Sequence, residues 1–160
     1  MARYKVLLLL CNMVMLFMLS CCTSIATKPD ETAQPVLHFQ KTPCFGTCPA
    51  YDATFYADGS ISYNGYRNAP VQGEQQLVLN HVQLRRLYQQ IEQLNYMSFK
   101  DTYTSTFTDQ PATYLTFYQE GTEVKKIKHQ QNGPEELRLF IEDIHKTILK
   151  LLQKQVKQEK

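Results

Sequence analysis

The sequence predicts an α+β domain, in which an antiparallel sheet of two hairpins carries two helices packed on one face. Two stretches alternate apolar and polar residues on either side of a turn signal, as the strands of half-buried hairpins do. Each stretch is followed by a segment with apolar residues three and four positions apart, a spacing typical of an amphipathic helix. The length of 160 residues fits one such domain.

The first hairpin is predicted after a short strand at 36–41, in which His38 should be half-exposed. Residues 50–57 alternate in polarity, and the chain returns over 60–66. Asp58-Gly59 between them predicts a two-residue type I′ turn, because both central positions of that turn have positive φ. A further short strand is expected at 76–79.

The first helix is predicted to begin after Asn80, a residue type that caps helix N-termini well. One apolar stripe should face the core, and it comprises Leu84, Leu87, Tyr88, Ile91 and Leu94. The Arg85-Arg86 pair is expected on the solvated side of this helix.

A polar loop dense in hydroxyl groups is predicted at 100–110, closed by Pro111. Long loops in compact domains often carry function, so Asp101, Tyr103 and Asp109 are candidates for lining a ligand or partner surface. The alternative is that the Asp and Thr side chains of the loop only cap their own turns.

The second hairpin is predicted over 112–118 and 123–129, with Glu120-Gly121 as its turn. The last helix should open near 132–136, where a cap residue, a proline and two acidic residues follow one another. Its apolar stripe runs to Leu152, and His145 beside that stripe is expected to be exposed. A single domain is therefore predicted at 36–152, followed by a polar tail at 153–160.

The charge of the chain argues against a general nucleic-acid binder. The sequence contains 17 basic and 15 acidic residues, a formal net charge of +2. The two excess positive charges, Arg3 and Lys5, lie in the first five residues, so the chain beyond residue 20 has 15 basic and 15 acidic residues. Attraction to phosphate backbones needs a concentrated basic face, so no nucleic-acid partner is expected.

Residues 1–20 are typical of a lipoprotein signal peptide. Arg3 and Lys5 precede an apolar run at 6–19, which is short for a helix that spans a bilayer. The Ser20-Cys21-Cys22 sequence that follows resembles the lipobox of bacterial lipoproteins, in which signal peptidase cuts before a cysteine that is then acylated. The resemblance implies lipidation of Cys21, with Cys22 as the alternative. A plain secretory peptide or an uncleaved anchor is the competing interpretation.

Lipidation would place the mature chain in the bacterial cell envelope, anchored to a membrane and facing the periplasm or the exterior. Several acyl chains on one cysteine hold a protein there nearly irreversibly, because each buried methylene contributes ~0.8 kcal/mol. Residues 21–35 are small and polar, with prolines at 29 and 35, and are predicted to be a lipidated tether. The expected partners are the membrane and an unknown envelope protein or small ligand.

A cysteine turn precedes the first hairpin, and residues 42–51 read Thr-Pro-Cys-Phe-Gly-Thr-Cys-Pro-Ala-Tyr. Outside the cytoplasm, a pair as close as Cys44 and Cys48 is usually a disulfide, and that is the favoured prediction. A redox-active pair is the second interpretation, although catalytic pairs are usually Cys-x-x-Cys at the start of a helix. The third is a soft-metal site, since the motif resembles that of the Sco-type copper chaperones, with His129 as a third ligand. The strand predicted after Cys48 departs from the helix of that family.

The cysteine motif, read with Asp58-Gly59 and the segments 96–99, 108–111 and 133–135, resembles a family of uncharacterised bacterial lipoproteins frequent in the Bacteroidetes. The resemblance covers about residues 36–150. It implies a small envelope domain, and it brings no known reaction, cofactor or ligand.

The function expected from the sequence is a non-enzymatic binding or interaction module without a cofactor or metal. The sequence shows no Gly-rich phosphate loop, no His-x-x-x-His and no Ser/His/Asp order in a motif context. A thiol redox or copper-handling protein using Cys44 and Cys48 is the alternative. An enzyme with its site in the 101–109 loop is a third hypothesis.

Overall fold

The structure, a computed structural model, describes residues 33–107 and 109–158. Within this part the chain forms seven strands, which are β1 Pro35–Lys41, β2 Tyr51–Tyr56, β3 Ser60–Gly65, β4 Gly73–Val78, β5 Thr102–Tyr103, β6 Thr113–Gln119 and β7 Thr122–His129. It also forms two α-helices, which are α1 His81–Gln93 and α2 Glu135–Gln158, and a 3-10 turn at Tyr96–Ser98. The predicted signal peptide, Cys21, Cys22 and most of the predicted tether lie outside the described residues.

The strands form a single sheet in the order β4-β3-β2-β1-β6-β7-β5. The predicted antiparallel sheet of two hairpins is therefore wrong, because β1 lies between the hairpins and pairs antiparallel with both β2 and β6. β4 and β5 extend the two edges, and β5 runs parallel to β7, so the sheet is mixed. β5 has only two residues, too few for an alternating pattern to reveal it.

The two hairpin turns lie where the sequence predicts them, but they differ in kind. Glu120 and Gly121 both have positive φ, as a two-residue type I′ turn requires. The type I′ turn predicted at Asp58-Gly59 is wrong, because only Gly59 has positive φ there and residues 57–59 form a three-residue connection. The Asp58 carboxylate accepts from the Ser60 N–H at 2.8 Å, which holds this longer turn without a second left-handed residue.

One face of the sheet forms the hydrophobic core with both helices. Leu37, Phe55, Leu115 and Ile127 of the strands are fully buried there, in one cluster with apolar residues of α1 and α2. The prediction that Tyr88 faces the core is wrong, because its side chain is 42% exposed. Phe117 of β6 stacks on Tyr96 with ring centroids 4.1 Å apart, and meets Phe140 of α2 at 6.1 Å. The two-layer arrangement follows from the period-2 and period-3.6 apolar patterns of the sequence.

α1 begins at a strong cap and contacts α2. The Asn80 side chain accepts from the N–H groups of Val82 and Gln83, which confirms the predicted N-cap. Asp143 of α2 accepts from Arg86 at 3.0 Å and from Gln90 of α1 at 2.9 Å. α2 continues to Gln158, within the predicted polar tail. Of the helices described, none is long and apolar enough to cross a membrane.

Candidate functional site at the loop end of the sheet

One end of the sheet gathers four connections, because β1, β3, β5 and β7 end there while β2, β4 and β6 begin there. We call these connections the loop end, and they comprise residues 42–50, 66–72, 104–112 and 130–134. The loop end contains the cysteine motif and most of the polar loop singled out in the sequence.

The cysteine turn at the loop end is closed by a disulfide, which confirms the favoured prediction. The Cys44 and Cys48 sulfurs are 2.02 Å apart, and their Cα atoms are 5.6 Å apart. The β3–β4 connection fixes the turn from outside, because Arg67 donates to the Cys44 carbonyl and the Asn68 amide donates to the Gly46 carbonyl at 3.2 Å. β2 begins three residues after Cys48, so the bond pins the chain where the strand starts.

Residues 109–112 pack beside the disulfide turn. The Thr42 N–H donates to the Ala112 carbonyl at 2.9 Å, and the Ala112 N–H donates to the Thr42 hydroxyl at 2.8 Å. A cleft of about 370 Å³ opens between the two segments, lined by Pro43, Cys44, Phe45, Arg67, Asp109 and Gln110. Asp109, one of the candidate ligand residues, therefore faces the disulfide turn.

The other two candidates of the polar loop lie elsewhere. Asp101 is exposed and accepts from the Lys125 ammonium at 2.6 Å, in a separate cleft of about 500 Å³ beside β7. Tyr103 belongs to β5, and its hydroxyl accepts from the Lys100 N–H at 3.0 Å. The structure thus does not bring Asp101, Tyr103 and Asp109 together at one surface.

The last row of the sheet before the loop end brings polar side chains to the helix face. Cross-strand pairing places Lys41 between Tyr51 and Thr113, and Thr113 between Lys41 and His129. Tyr103 follows His129 at the edge, with their ring centroids 6.2 Å apart. Neighbouring residues of one row lie on the same face, so these side chains form a continuous line under α2.

His145 of α2 reaches down to this row, so the expectation that it is exposed is wrong. Its Nδ1 lies 2.5 Å from the Tyr51 hydroxyl, and the two rings stack with centroids 5.9 Å apart. His145 is half-buried, one position beyond Ile144 at the margin of the apolar stripe. The signal that could have revealed it is Tyr51, a buried phenol that needs a hydrogen-bond partner.

The electrostatics of the row are dominated by burial and by Lys41. Burial lowers the pKa of Lys41, whose ammonium forms no ion pair within the described residues. Burial, and then the positive charge of Lys41, lower the pKa of both His129 and His145. Burial raises the pKa of Tyr51, which keeps its phenol protonated. Three basic groups thus share one half-buried region.

The opposite face of the sheet is polar. His38 is half-exposed there, as predicted, with its Nδ1 2.9 Å from the Thr54 hydroxyl. Two acceptors, Asp52 Oδ1 and Gln76 Oε1, are buried without a hydrogen-bond partner in the described part of the chain. These groups are dispersed over separate strands.

Residues 35–148 match a protein family described as a domain of unknown function, DUF6438. The match covers more than half of the sequence. The chain belongs to this family. The prediction of an uncharacterised domain family over about residues 36–150 is confirmed at that level. No curated protein matches the chain.

Metal ligands are not grouped in the DUF6438 domain as far as the structure describes it. No three His, Cys, Asp or Glu side chains come together at a distance that could hold a metal ion among residues 33–107 and 109–158. The alternative copper set of Cys44, Cys48 and His129 is accordingly not assembled, since both sulfurs are in the disulfide. The residues after Cys48 also form a strand, where the Sco-type resemblance implies a helix.

Proposed function

We propose that this chain is a lipid-anchored domain of the bacterial cell envelope, and that it binds another envelope protein through its loop end. The proposal is for a binding module without chemistry of its own. The observation that carries it is the exposure of Phe45, an aromatic side chain at the tip of a covalently closed turn.

Phe45 has the features of an interface anchor. Its side chain is 90% exposed, although burying a phenylalanine is worth about 1.5–3 kcal/mol. The turn that carries it is held by the disulfide and by the side chains of Arg67 and Asn68. A fixed aromatic anchor loses little conformational entropy on binding, which favours affinity.

A second exposed aromatic residue lies on the neighbouring connection. Phe107 is 67% exposed, and its N–H donates to the Ser105 hydroxyl at 3.0 Å. Ser105 in turn donates to Gln131 at 3.0 Å, which ties this segment to the connection before α2. Two aromatic side chains on braced loops support a protein partner, because aromatic residues are enriched in protein–protein interfaces.

The envelope location is supported by the N-terminal pattern and by the disulfide. Arg3, Lys5 and the apolar run at 6–19 precede the lipobox-like Ser20-Cys21, with Cys22 as the alternative lipid site. Disulfides persist in oxidising compartments such as the periplasm and the cell surface. The proposed orientation therefore faces the domain away from the cytoplasm.

Site-specific photo-crosslinking in intact cells of the source organism tests the partner. A photoreactive phenylalanine analogue replaces Phe45 in one variant and Val82 in the control, since Val82 is 72% exposed on α1. We expect a discrete crosslinked protein from position 45 that is absent from position 82. Identical patterns from both positions, or no crosslink at position 45, would refute the proposed interface.

The anchor is tested separately by mass spectrometry of the N-terminal peptide and by membrane fractionation. Cys21→Ala should remove the acyl chains and release the protein from the membrane, whereas Cys22→Ala should leave both unchanged. Loss of the anchor with Cys22→Ala alone would assign the lipid to Cys22. An unmodified N-terminus in the wild-type chain would end the proposal of lipid anchoring.

The thiol redox alternative receives less support from the surroundings of the pair. A catalytic thiol is usually stabilised as thiolate at a helix N-terminus, and β2 follows Cys48 instead. A reduction potential as oxidising as those of catalytic oxidoreductases would revive the redox role. A structural disulfide should instead resist reduction by a glutathione buffer.

A further inference from the structure

We propose that Lys41, His129 and His145 form a binding site for a small phosphate-type oxyanion between α2 and the last row of the sheet. This site lies beneath the loop end, on the helix side of the sheet. It goes beyond the proposed partner contact and does not depend on it, because different side chains are used.

The fold brings three basic side chains together from three different elements. Lys41 on β1 and His129 on β7 are separated only by Thr113 of β6, so their strands lie roughly 10 Å apart at about 4.8 Å per strand. His145 approaches from α2 on the other side of Lys41, through its contact with Tyr51. Lys41 therefore lies between two imidazole rings, and all three residues remain partly exposed to solvent.

The charge of this cluster is not balanced by the protein. None of the ion pairs found among the described residues includes Lys41, whereas Lys125 pairs with Asp101 and Lys146 with Glu142. A half-buried ammonium has lost part of its hydration and gains most from an opposite charge. An oxyanion would supply that charge where no carboxylate of the described chain does.

The hydrogen bond between Tyr51 and His145 also leaves the other ring nitrogen of His145 able to donate to an anion. The Tyr51 phenol stays protonated, and when its hydroxyl donates to Nδ1 of His145, the ring proton must lie on Nε2. Nε2–H is then a donor, and the ammonium of Lys41 offers three more. A phosphate group presents several oxygens and up to two negative charges, which matches several converging donors better than a single-charged carboxylate does.

The geometry of His129 depends on the absence of a side chain at Gly133. A Cβ at that position would lie 2.5 Å from Cδ2 and 2.7 Å from Nε2 of His129. The connection to α2 therefore packs closely on the ring and fixes its position in the row. Gly133→Ala is a variant that displaces the ring without removing a basic group.

The test follows the Cε1–H resonances of the four histidines by NMR in the full chain, held in detergent micelles, as inorganic phosphate replaces chloride at constant ionic strength and pH. We expect saturable shifts of His129 and His145 together. The resonance of His38, on the opposite face of the sheet, should not move. A parallel titration with acetate should produce smaller shifts at the same concentration.

Two lysine variants separate the site from general charge effects. Lys41→Gln should weaken phosphate binding by about tenfold or more, the size expected for one charge-assisted hydrogen bond to an ion. Lys126→Gln, an exposed lysine on the other face, should bind as the wild type does. A far-UV circular dichroism spectrum identical to that of the wild type confirms that each variant is folded. If Lys41→Gln unfolds, Gly133→Ala replaces it and should also weaken binding.

Several results would overturn the proposal. The absence of saturable shifts at His129 and His145, or equal phosphate affinity in Lys41→Gln and the wild type, would remove the site. Equal affinity for acetate and phosphate would contradict the assignment to phosphate-type ligands. None of these results bears on crosslinking at Phe45, so the two proposals fail independently.

Discussion

The disulfide at the loop end makes the sharpest stability prediction, because the loop it closes is so short. Cys44 and Cys48 are separated by 4 positions, and the chain-entropy relation for a loop of this length gives about 2 kcal/mol at 25 °C. The double variant Cys44→Ser/Cys48→Ser should therefore remain folded. For a domain of this size, its Tm should fall by roughly 8 °C.

The surrounding hydrogen bonds explain why the loss should stay moderate. Arg67 and Asn68 still hold the turn in the double variant, so the start of β2 keeps its place. Crosslinking from position 45 should nevertheless decrease, because the anchor of the proposed interface loses its covalent brace. The disulfide should therefore affect both the stability of the domain and its binding to the proposed partner.

Urea unfolding followed by circular dichroism, with and without reductant, measures the effect. Reductant should bring the wild type to the stability of the double variant and should not change the variant itself. Equal stability of the oxidised wild type and the variant would refute the constraint argument. A loss above about 5 kcal/mol would show that the turn carries core contacts beyond loop closure.

Three further predictions concern stability. Gly65→Ala would place a Cβ 1.9 Å from the Val71 carbonyl oxygen, so the free energy of unfolding should fall by about 1–3 kcal/mol in urea. The control Gly46→Ala, whose nearest contact is at 3.7 Å, should change it by less than about 0.5 kcal/mol. Asn80→Ala removes the N-cap of α1 and should cost about 1 kcal/mol by the same assay; an unchanged midpoint would contradict the capping role. Burial lowers the folded-state pKa of three histidines, which are His38, His129 and His145. The contribution of these histidines to stability is complete above the unfolded pKa of about 6.5 and is lost as pH falls below it towards the folded pKa values. The free energy of unfolding should therefore decrease as the pH is lowered from about 7.5 to 5, and an increase would contradict the assignment.

Features encoded within a few residues were predictable from the sequence. The Asn80 cap, the disulfide and the two hairpin turns each depend on neighbouring residues, and the structure contains all of them. Most of the predicted apolar stripe of each helix belongs to the core, but Tyr88 of α1 does not. The kind of turn at Asp58-Gly59 was not predictable, because one glycine serves both a two-residue and a three-residue connection.

Features that depend on distant pairing were not predictable. The position of β1 between β2 and β6 joins segments more than 70 residues apart, and nothing in their local alternation specifies that neighbour. The same pairing decides which polar residues meet. Lys41, His129 and His145 come from three different elements. From the sequence, His129 is considered only as a third copper ligand, and His145 is expected to be exposed.

The position of the row within the sheet accounts for its chemistry. On the same face of the sheet, the next row inward contains Phe39, Leu115 and Ile127, which are apolar and fully buried under the helices. One step further out, the cover of α2 ends and the loops begin, so polar side chains such as Lys41 and His129 are half-buried there. At such a boundary a cation is partly dehydrated, which favours the binding of an anion, and a ligand can still reach it from solvent. A sheet built from separate hairpins would lack this row, so the topology that the sequence did not predict is what creates the proposed site.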